Sequence, residues 1–228
     1  TLAETAERKM GAKIIQLYGA VDTGGITGGA FKDPREVCWG TVGRPYPGNE
    51  LKLVDESGAE VGPGEVGEVM TRGPTNDVAY HRDPGGSALA WTSDGWRRPG
   101  DLGRWDSQGN LMIVGRSKDV IIRGGQNVYP IEIECLLQSH PCVARVAVVR
   151  MPDPVMGEKA CAVVVPQPGH SFTFEDMISC LKAHKIATFK FPERLEIYQA
   201  LPLAGEQKVD KKALEQDITR KLKDEGKS

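Results

Sequence analysis

The 228-residue sequence has no apolar run that approaches a membrane span, and no signal peptide. It has almost no charge bias: 29 Lys and Arg stand against 31 Asp and Glu, giving −2, so nothing general points to nucleic acid or an anionic membrane. It lacks C-x-x-C and every other metal-ligand spacing. Cys38, Cys135, Cys142, Cys161 and Cys180 are odd in number and lie in apolar stretches, which reads as reduced core thiols of a cytoplasmic protein. The glycine-rich stretch Gly24–Gly29 has no Lys-Ser or Lys-Thr after it and is not a Walker loop. There is no internal repeat or low-complexity tract. The sequence also does not begin with methionine. Leu2, Ala6 and Met10 already share one helix face, so the chain is expected to be a fragment that opens within a packed element.

What is present is an ordinary soluble composition, 39% hydrophobic and 26% charged, long enough for one large domain or two modest ones. The pattern changes near residue 118. Residues 1–117 read as β-rich. A strand is predicted over Lys13–Tyr18, running into the glycine-rich loop. Leu51 and Leu53 alternate with Lys52, Val66–Thr71 is a strand, and Gly103–Asp106 and Leu111–Val114 make a hairpin. Strands at this spacing predict a small distorted barrel or meander. Residues 118–228 read as a compact α+β unit. Strands are predicted over Val120–Arg123, Val143–Val149, Ala160–Val165 and Leu195–Tyr198. One helix starts at Pro130, one over Phe174–Leu181 is capped by Thr173, and a charged helix spans Lys211–Lys223.

Five segments carry candidate chemistry. Gln16-Leu17-Tyr18-Gly19-Ala20-Val21-Asp22 resembles the Q-x-Y-G-x-T-E loop of the acyl-CoA synthetase, adenylation-domain and luciferase superfamily. Gly100-Asp101-Leu102-Gly103 resembles its T-G-D-L-G segment, and Gly115-Arg116-Ser117-Lys118-Asp119 its G-R-x-x-D junction. Gly124-Gly125, followed by Pro130-Ile131-Glu132-Ile133-Glu134, is similar to G-G-x-x-x-x-P-x-E-I-E. Leu201-Pro202-Leu203 with Lys208-Val209-Asp210-Lys211 is similar to the terminal L-P-x-T-x-x-G-K-x-x-K. The resemblance implies the β-rich, barrel-like end of a large N-terminal AMP-binding domain (1–117) followed by a small mobile C-terminal domain (118–228). The upstream phosphate loop and main acyl pocket, which belong to the N-terminal portion of such enzymes, are missing here.

The residue types suit the chemistry so implied. An enzyme joining a carboxylate to the α-phosphate of ATP must hold a ribose and neutralise charge building on phosphorus. Asp101, read as a loop residue between glycines, can accept both ribose hydroxyls; alone it reads as a turn aspartate. Arg116 offers planar donors to ribose or phosphate, and alone reads as a surface ion pair. The resemblance places Tyr18, Gly19, Ala20 and Val21 against ATP or AMP, with Tyr18 stacking on adenine, although a lone tyrosine reads as core. Asp22 is the expected Mg²⁺ ligand. Lys208 is expected to bridge carboxylate and α-phosphate as a point charge; composition alone makes it a solvated lysine beside Lys211 and Lys212. Lys118 falls at the family's hinge, and Gly124 and Gly125 at its pantetheine tunnel; without the resemblance, the two glycines simply make a turn.

The sequence departs from the pattern at Val21 (for Thr), Asp22 (for Glu), Pro99 (for Thr) and Gln207 (for Gly). None of these removes a charged group. Three functions follow. The leading one is an ATP-dependent, AMP-forming carboxylic acid–CoA ligase using ATP, Mg²⁺ and coenzyme A, with an aromatic or alicyclic acid as substrate. Its fragment is expected to be inactive alone. The second is an aryl-acid adenylating enzyme that loads a carrier-protein phosphopantetheine. The third is a nucleotide-binding or interaction module without catalysis, against which the retained Asp101, Arg116 and Lys208 argue.

Overall fold

In the computed structural model, which describes residues 2–77, 79–205 and 208–226, the chain divides into two compact units, Thr1–Lys118 and Asp119–Ser228. The first strand of the first unit, β1 (Leu17–Ala20), starts later than the apolar run from Lys13 predicts. The residues before it are held from the side instead: Lys13 Nζ donates to the Phe31 carbonyl at 2.6 Å and Gln16 Nε2 to that of Trp39 at 2.6 Å. The expected glycine-rich loop is largely a strand. β2 (Gly24–Gly28) pairs antiparallel with β1 and then with β3 (Arg44–Pro45). Glycine is used there for close approach, since a Cβ on Gly19 would lie 2.0 Å from the Gly24 carbonyl oxygen and one on Gly28 2.0 Å from the Tyr46 hydroxyl.

A second sheet follows as an antiparallel meander: β4 (Glu50–Val54), β5 (Gly67–Arg72), β6 (Asp101–Trp105) and β7 (Leu111–Arg116), in that order. Among the described residues neither sheet closes, so the barrel alternative gives way to open sheets. Alternation buries Leu53, Val69 and Leu111 on one face, with Tyr18, Val42 and Ile113 packed against them. The β6–β7 turn forms where predicted because the Asp106 carboxylate accepts from Gln108 N, Asn110 N and Asn110 Nδ2, each at 2.8 Å. Helix α1 (Leu2–Met10) exists, but Met10 is 69% exposed and not part of a buried face. Glu7 anchors the helix instead, accepting from Ile14 N, Trp39 Nε1 and Arg35 Nε. The short helices α2 (Arg35–Gly40) and α3 (Pro84–Ala90) complete the unit.

The second unit is a mixed sheet of β8 (Ile121–Arg123), β9 (Gln126–Val128), β10 (Val143–Asp153), β11 (Gly157–Pro166) and β12 (Arg194–Ile197), with β12 parallel to β11. Both faces are covered, which is why its central strands read as unbroken apolar runs. Ala160, Ala162 and Val164 turn toward Ile133 and Leu137 of α4 (Pro130–Gln138) and Met177 and Leu181 of α5 (Phe174–Ala183). Cys161 and Val163 turn the other way, toward Leu214, Ile218 and Leu222 of α6 (Lys211–Asp224). Thr173 caps α5 as predicted, in a reciprocal box with Asp176. A short hairpin, β13 (Leu203–Ala204) and β14 (Lys208–Val209), precedes α6.

Candidate nucleotide site and its charged residues

Asp101 is not a loop residue: it opens β6, directly opposite Arg116 of β7 in the antiparallel register. That register, rather than chance proximity, brings Arg116 Nε to Asp101 Oδ1 at 3.1 Å. From the other sheet, the Tyr18 hydroxyl donates to Asp101 Oδ2 at 2.7 Å. Each carboxylate oxygen therefore carries one donor and keeps capacity for another. Asp101 is 8% exposed. Gly100 just before it has φ +80°, and its carbonyl accepts from Ser117 N at 3.0 Å and Ser117 Oγ at 3.2 Å, which locks the entry to β6 against the exit of β7. Burial, and then the Asp101 carboxylate, push the Tyr18 phenol well above its ordinary value, so it is a fixed donor. Its ring packs at the edge of the Leu53–Val69–Leu111 cluster, while its hydroxyl aligns the carboxylate.

The turn after β1 is tied by Thr23, whose side chain accepts from Ala20 N at 2.9 Å and whose own N–H donates to the Ala20 carbonyl. Gly19 sits at a bulge in the β1–β2 ladder. Val21, at the place of the missing threonine, is fully exposed. Asp22 is not a free carboxylate. Its Oδ2 accepts from Arg97 Nη2 and from the Tyr80 hydroxyl, the latter at 3.0 Å. Burial works against the charged form, yet the hydrogen bonds from Arg97 and Tyr80 outweigh it and hold the Asp22 carboxyl below its ordinary value. Neither Arg97 nor Tyr80 stands out in the sequence. The nearest signal is a second arginine in the Trp96-Arg97-Arg98 run leading to Asp101.

The remaining expected residues lie elsewhere. Lys118 is exposed in a 3₁₀ turn, Ser117–Asp119, at the boundary of the two units. Gly124 and Gly125 are the two-residue tip of the β8–β9 hairpin, with φ +55° and +83°, a turn that requires glycine-like backbone at both positions. A Cβ on Gly125 would meet nothing within 4 Å, so its approach side is open. Lys208, expected after a flexible loop, opens β14 opposite Ala204 and is exposed. Gln207 lies outside the described residues. The structure thus brings Tyr18, Asp101 and Arg116 together and places Asp22 in a separate ion pair. Lys208, Gly124 and Gly125 belong to the second unit. Among the described residues, no group of three or more His, Cys, Asp or Glu is arranged to hold a metal ion, and no helix is long and apolar enough to cross a membrane.

Residues 1–81 match the family model of the AMP-binding enzyme, and residues 132–208 that of the AMP-binding enzyme C-terminal domain. The chain is 40% identical over 220 residues to a salicylyl-CoA synthase / salicylate adenylyltransferase of Streptomyces sp, covering 96% of this chain and 39% of that protein. It is 34% identical over 216 residues to the medium-chain fatty-acid–CoA ligase of Escherichia coli strain K12, covering 94% and 38%. The crystal structure of ATP-bound MatB from Rhodopseudomonas palustris superimposes with a TM-score of 0.86 at 31% identity, over 94% of this chain and 42% of that one. The chain spans about two fifths of the length of these relatives, at 39% and 38%.

Proposed function

The chain belongs to the AMP-binding enzyme family of adenylate-forming ligases, and from that we propose that it is the C-terminal part of an ATP-dependent acid–CoA ligase. The observation that carries the reading is the Tyr18–Asp101–Arg116 arrangement, a buried carboxylate with both oxygens pre-aligned and spare acceptor capacity. In this reading the acid carboxylate attacks the α-phosphorus of ATP and pyrophosphate leaves. Coenzyme A thiolate then attacks the acyl-AMP carbonyl and AMP leaves.

Asp101 accepts from the two ribose hydroxyls. Arg116 steadies Asp101 and faces ribose or phosphate oxygens, and the backbone from Gly19 to Val21 borders the nucleotide. Lys208 supplies a cation to the α-phosphate. Gly125 leaves room for pantetheine, while Gly124 turns the hairpin against the Met156 side chain. A magnesium ion would be held through Asp22, whose Oδ1 accepts no side-chain hydrogen bond among the described residues. That single oxygen suits an ion that takes one or two carboxylates and keeps its waters. Bound there, the ion would supply charge neutralisation to the phosphates. Residues 1–117 are then the end of the large domain and 118–228 the small mobile one. An aromatic acid is the favoured substrate, supported by the similarity to the salicylate-activating relative.

The test is ATP–pyrophosphate exchange by the full-length enzyme across a panel of carboxylic acids, followed by thioester detection with coenzyme A. Exchange with none of the acids sinks the proposal. Exchange without a coenzyme A thioester redirects it to a carrier-protein acceptor. The 228-residue chain alone is expected to give no acyl-AMP.

The hinge has its own expected outcome. Proline fixes φ near −65°, a value within the 3₁₀ range of the turn at Lys118, and removes rotation about that bond. Lys118→Pro in the full-length enzyme is therefore expected to preserve one half-reaction and abolish the other. Parallel loss of both, measured as pyrophosphate exchange and as thioester formation from acyl-AMP, would count against a hinge.

A further inference from the structure

A site that receives ATP has an electrostatic difficulty if it displays carboxylates, because each one repels the incoming phosphates. Asp101 meets this with Arg116. Asp22, one turn beyond β1, meets it with Arg97, and that pair is far more built than a surface ion pair. Arg97 is 3% exposed. Its Nη1 donates to the carbonyls of Arg98 at 2.6 Å and Ala90 at 3.3 Å, and its Nη2 to the Tyr80 hydroxyl at 2.6 Å as well as to Asp22. The guanidinium lies 4.3 Å from the Trp91 ring centroid and 5.4 Å from that of Tyr80. Trp91 is itself fixed by Nε1 donating to the Asp77 carbonyl at 2.8 Å, and Tyr80 meets it edge-on at 5.2 Å. Among the described residues, Arg97 Nε is buried without a hydrogen-bond partner.

A tie whose only task was to hold a turn would not require a buried guanidinium. Desolvating it is costly, and one of its donors goes unused. The turn already has its own ties: Asp77 N donates to the Asp22 carbonyl at 3.1 Å, and Thr75 Oγ1 to the Thr23 carbonyl at 2.8 Å. Among the described residues, Arg97 is the cation paired with the Asp22 carboxylate, and positive charge is what it adds there.

We infer that Arg97 is a positioning residue of the nucleotide site: it neutralises Asp22 and so lets polyphosphate approach the β1–β2 turn whether or not a magnesium ion is held on the remaining Asp22 oxygen. The inference rests on the nucleotide-site reading above. It makes the metal dependence of ATP binding, rather than ATP binding as such, the property that Arg97 controls. The Asp22 charge is also felt at Tyr18, where it helps to keep the phenol protonated.

The experiment is calorimetric titration of the full-length enzyme with ATP, without acid, in EDTA and in excess magnesium. Wild type is expected to bind in both conditions. Arg97→Met leaves Asp22 uncompensated and is expected to bind ATP on the order of tenfold more weakly in EDTA, with most of the loss recovered in magnesium. Arg97→Lys keeps the charge and should behave like wild type. The double variant Asp22→Asn with Arg97→Met removes both charges and should regain affinity in EDTA. Asp22→Asn alone leaves Arg97 facing the phosphates and should tighten ATP in EDTA, a readout that survives if Arg97→Met does not fold. Equal weakening in EDTA and magnesium, unrelieved by Asp22→Asn, would make Arg97 a packing residue and overturn the inference. So would a wild type as dependent on magnesium as Arg97→Met. A wild type that binds no ATP even with magnesium removes the nucleotide-site reading itself.

Discussion

Lys208→Ala in the full-length enzyme is expected to slow acyl-AMP formation by about 10²–10³, the usual cost of one lost electrostatic contact to a developing charge. Thioester formation from synthetic acyl-AMP and coenzyme A should change little. Two features make the expectation specific to Lys208 and not to the basic run around it. Its backbone is anchored. β14 pairs with β13, Asp210 N donates to the Pro202 carbonyl at 2.9 Å, and the Asp210 side chain caps α6 through Ala213 N at 3.0 Å. Its neighbour Lys211 is committed elsewhere, ion-paired at 2.8 Å with Glu134, which also accepts from Val148 N at 2.7 Å. The Lys208 ammonium is exposed and, among the described residues, makes no hydrogen bond or ion pair. A backbone anchored in a strand pair, carrying an ammonium without a partner among the described residues, suits a group that must meet a phosphate at one step and leave it at the next. Acetylation of the same amine would cancel its charge and should reproduce the loss. Assaying both half-reactions decides the matter: a parallel fall in both, or an untouched first step, removes Lys208 from the role.

The second unit was the more legible half in sequence. The short strands β9, β13 and β14 were not read, but alternation in the Ala160–Val165 run puts successive side chains on opposite faces, and a helix covers each face, so apolar patterning located β10 and β11. Their lengths were not visible. β10 continues to Asp153 and β11 begins at Gly157, because the hairpin end is held by charged pairs such as Arg150 with Glu158 and Lys159 with Asp153, which carry no apolar period. In the first unit β2 was hidden because glycine is poor in strands. Its use at Gly24–Gly28 answers a steric demand from Tyr46 and the facing backbone that no local window contains.

The candidate site shows the same division. Asp101 and Arg116 were visible as motif residues, but their being cross-strand partners depends on register. Arg97 was invisible because its burial is made tolerable by Asp22, 75 residues earlier in the chain. A buried arginine and a surface arginine look alike until the partner is in place.

Asp101→Ala is expected to have the largest effect of any substitution in the first unit. In the proposed site, two hydrogen bonds from ribose hydroxyls to the Asp101 carboxylate are at stake, each worth about 1.5–3 kcal/mol. Together they correspond to about 10²–10⁴ in kcat/KM for ATP, carried mostly by KM because the ribose is bound equally in ground and transition states. The substitution also strands two donors that now converge on the carboxylate, the Tyr18 hydroxyl at 2.7 Å and Arg116 Nε at 3.1 Å. Asp101→Asn tests this part: it keeps the shape, yet one of the two donors must face an amide N–H₂, so it should recover little. Tyr18→Phe removes one donor and leaves both acceptor oxygens, so its loss should be much smaller, on the order of tenfold. Because Asp101 opens β6 beneath the Gly100–Ser117 lock, thermal melts of each variant are needed to separate lost binding from a loosened strand. The decisive measurement is KM for ATP in pyrophosphate exchange, alongside equilibrium AMP binding. If a folded Asp101→Ala enzyme keeps both near wild type, the carboxylate serves only to join β6 to β7 and β1, and the ribose is held elsewhere.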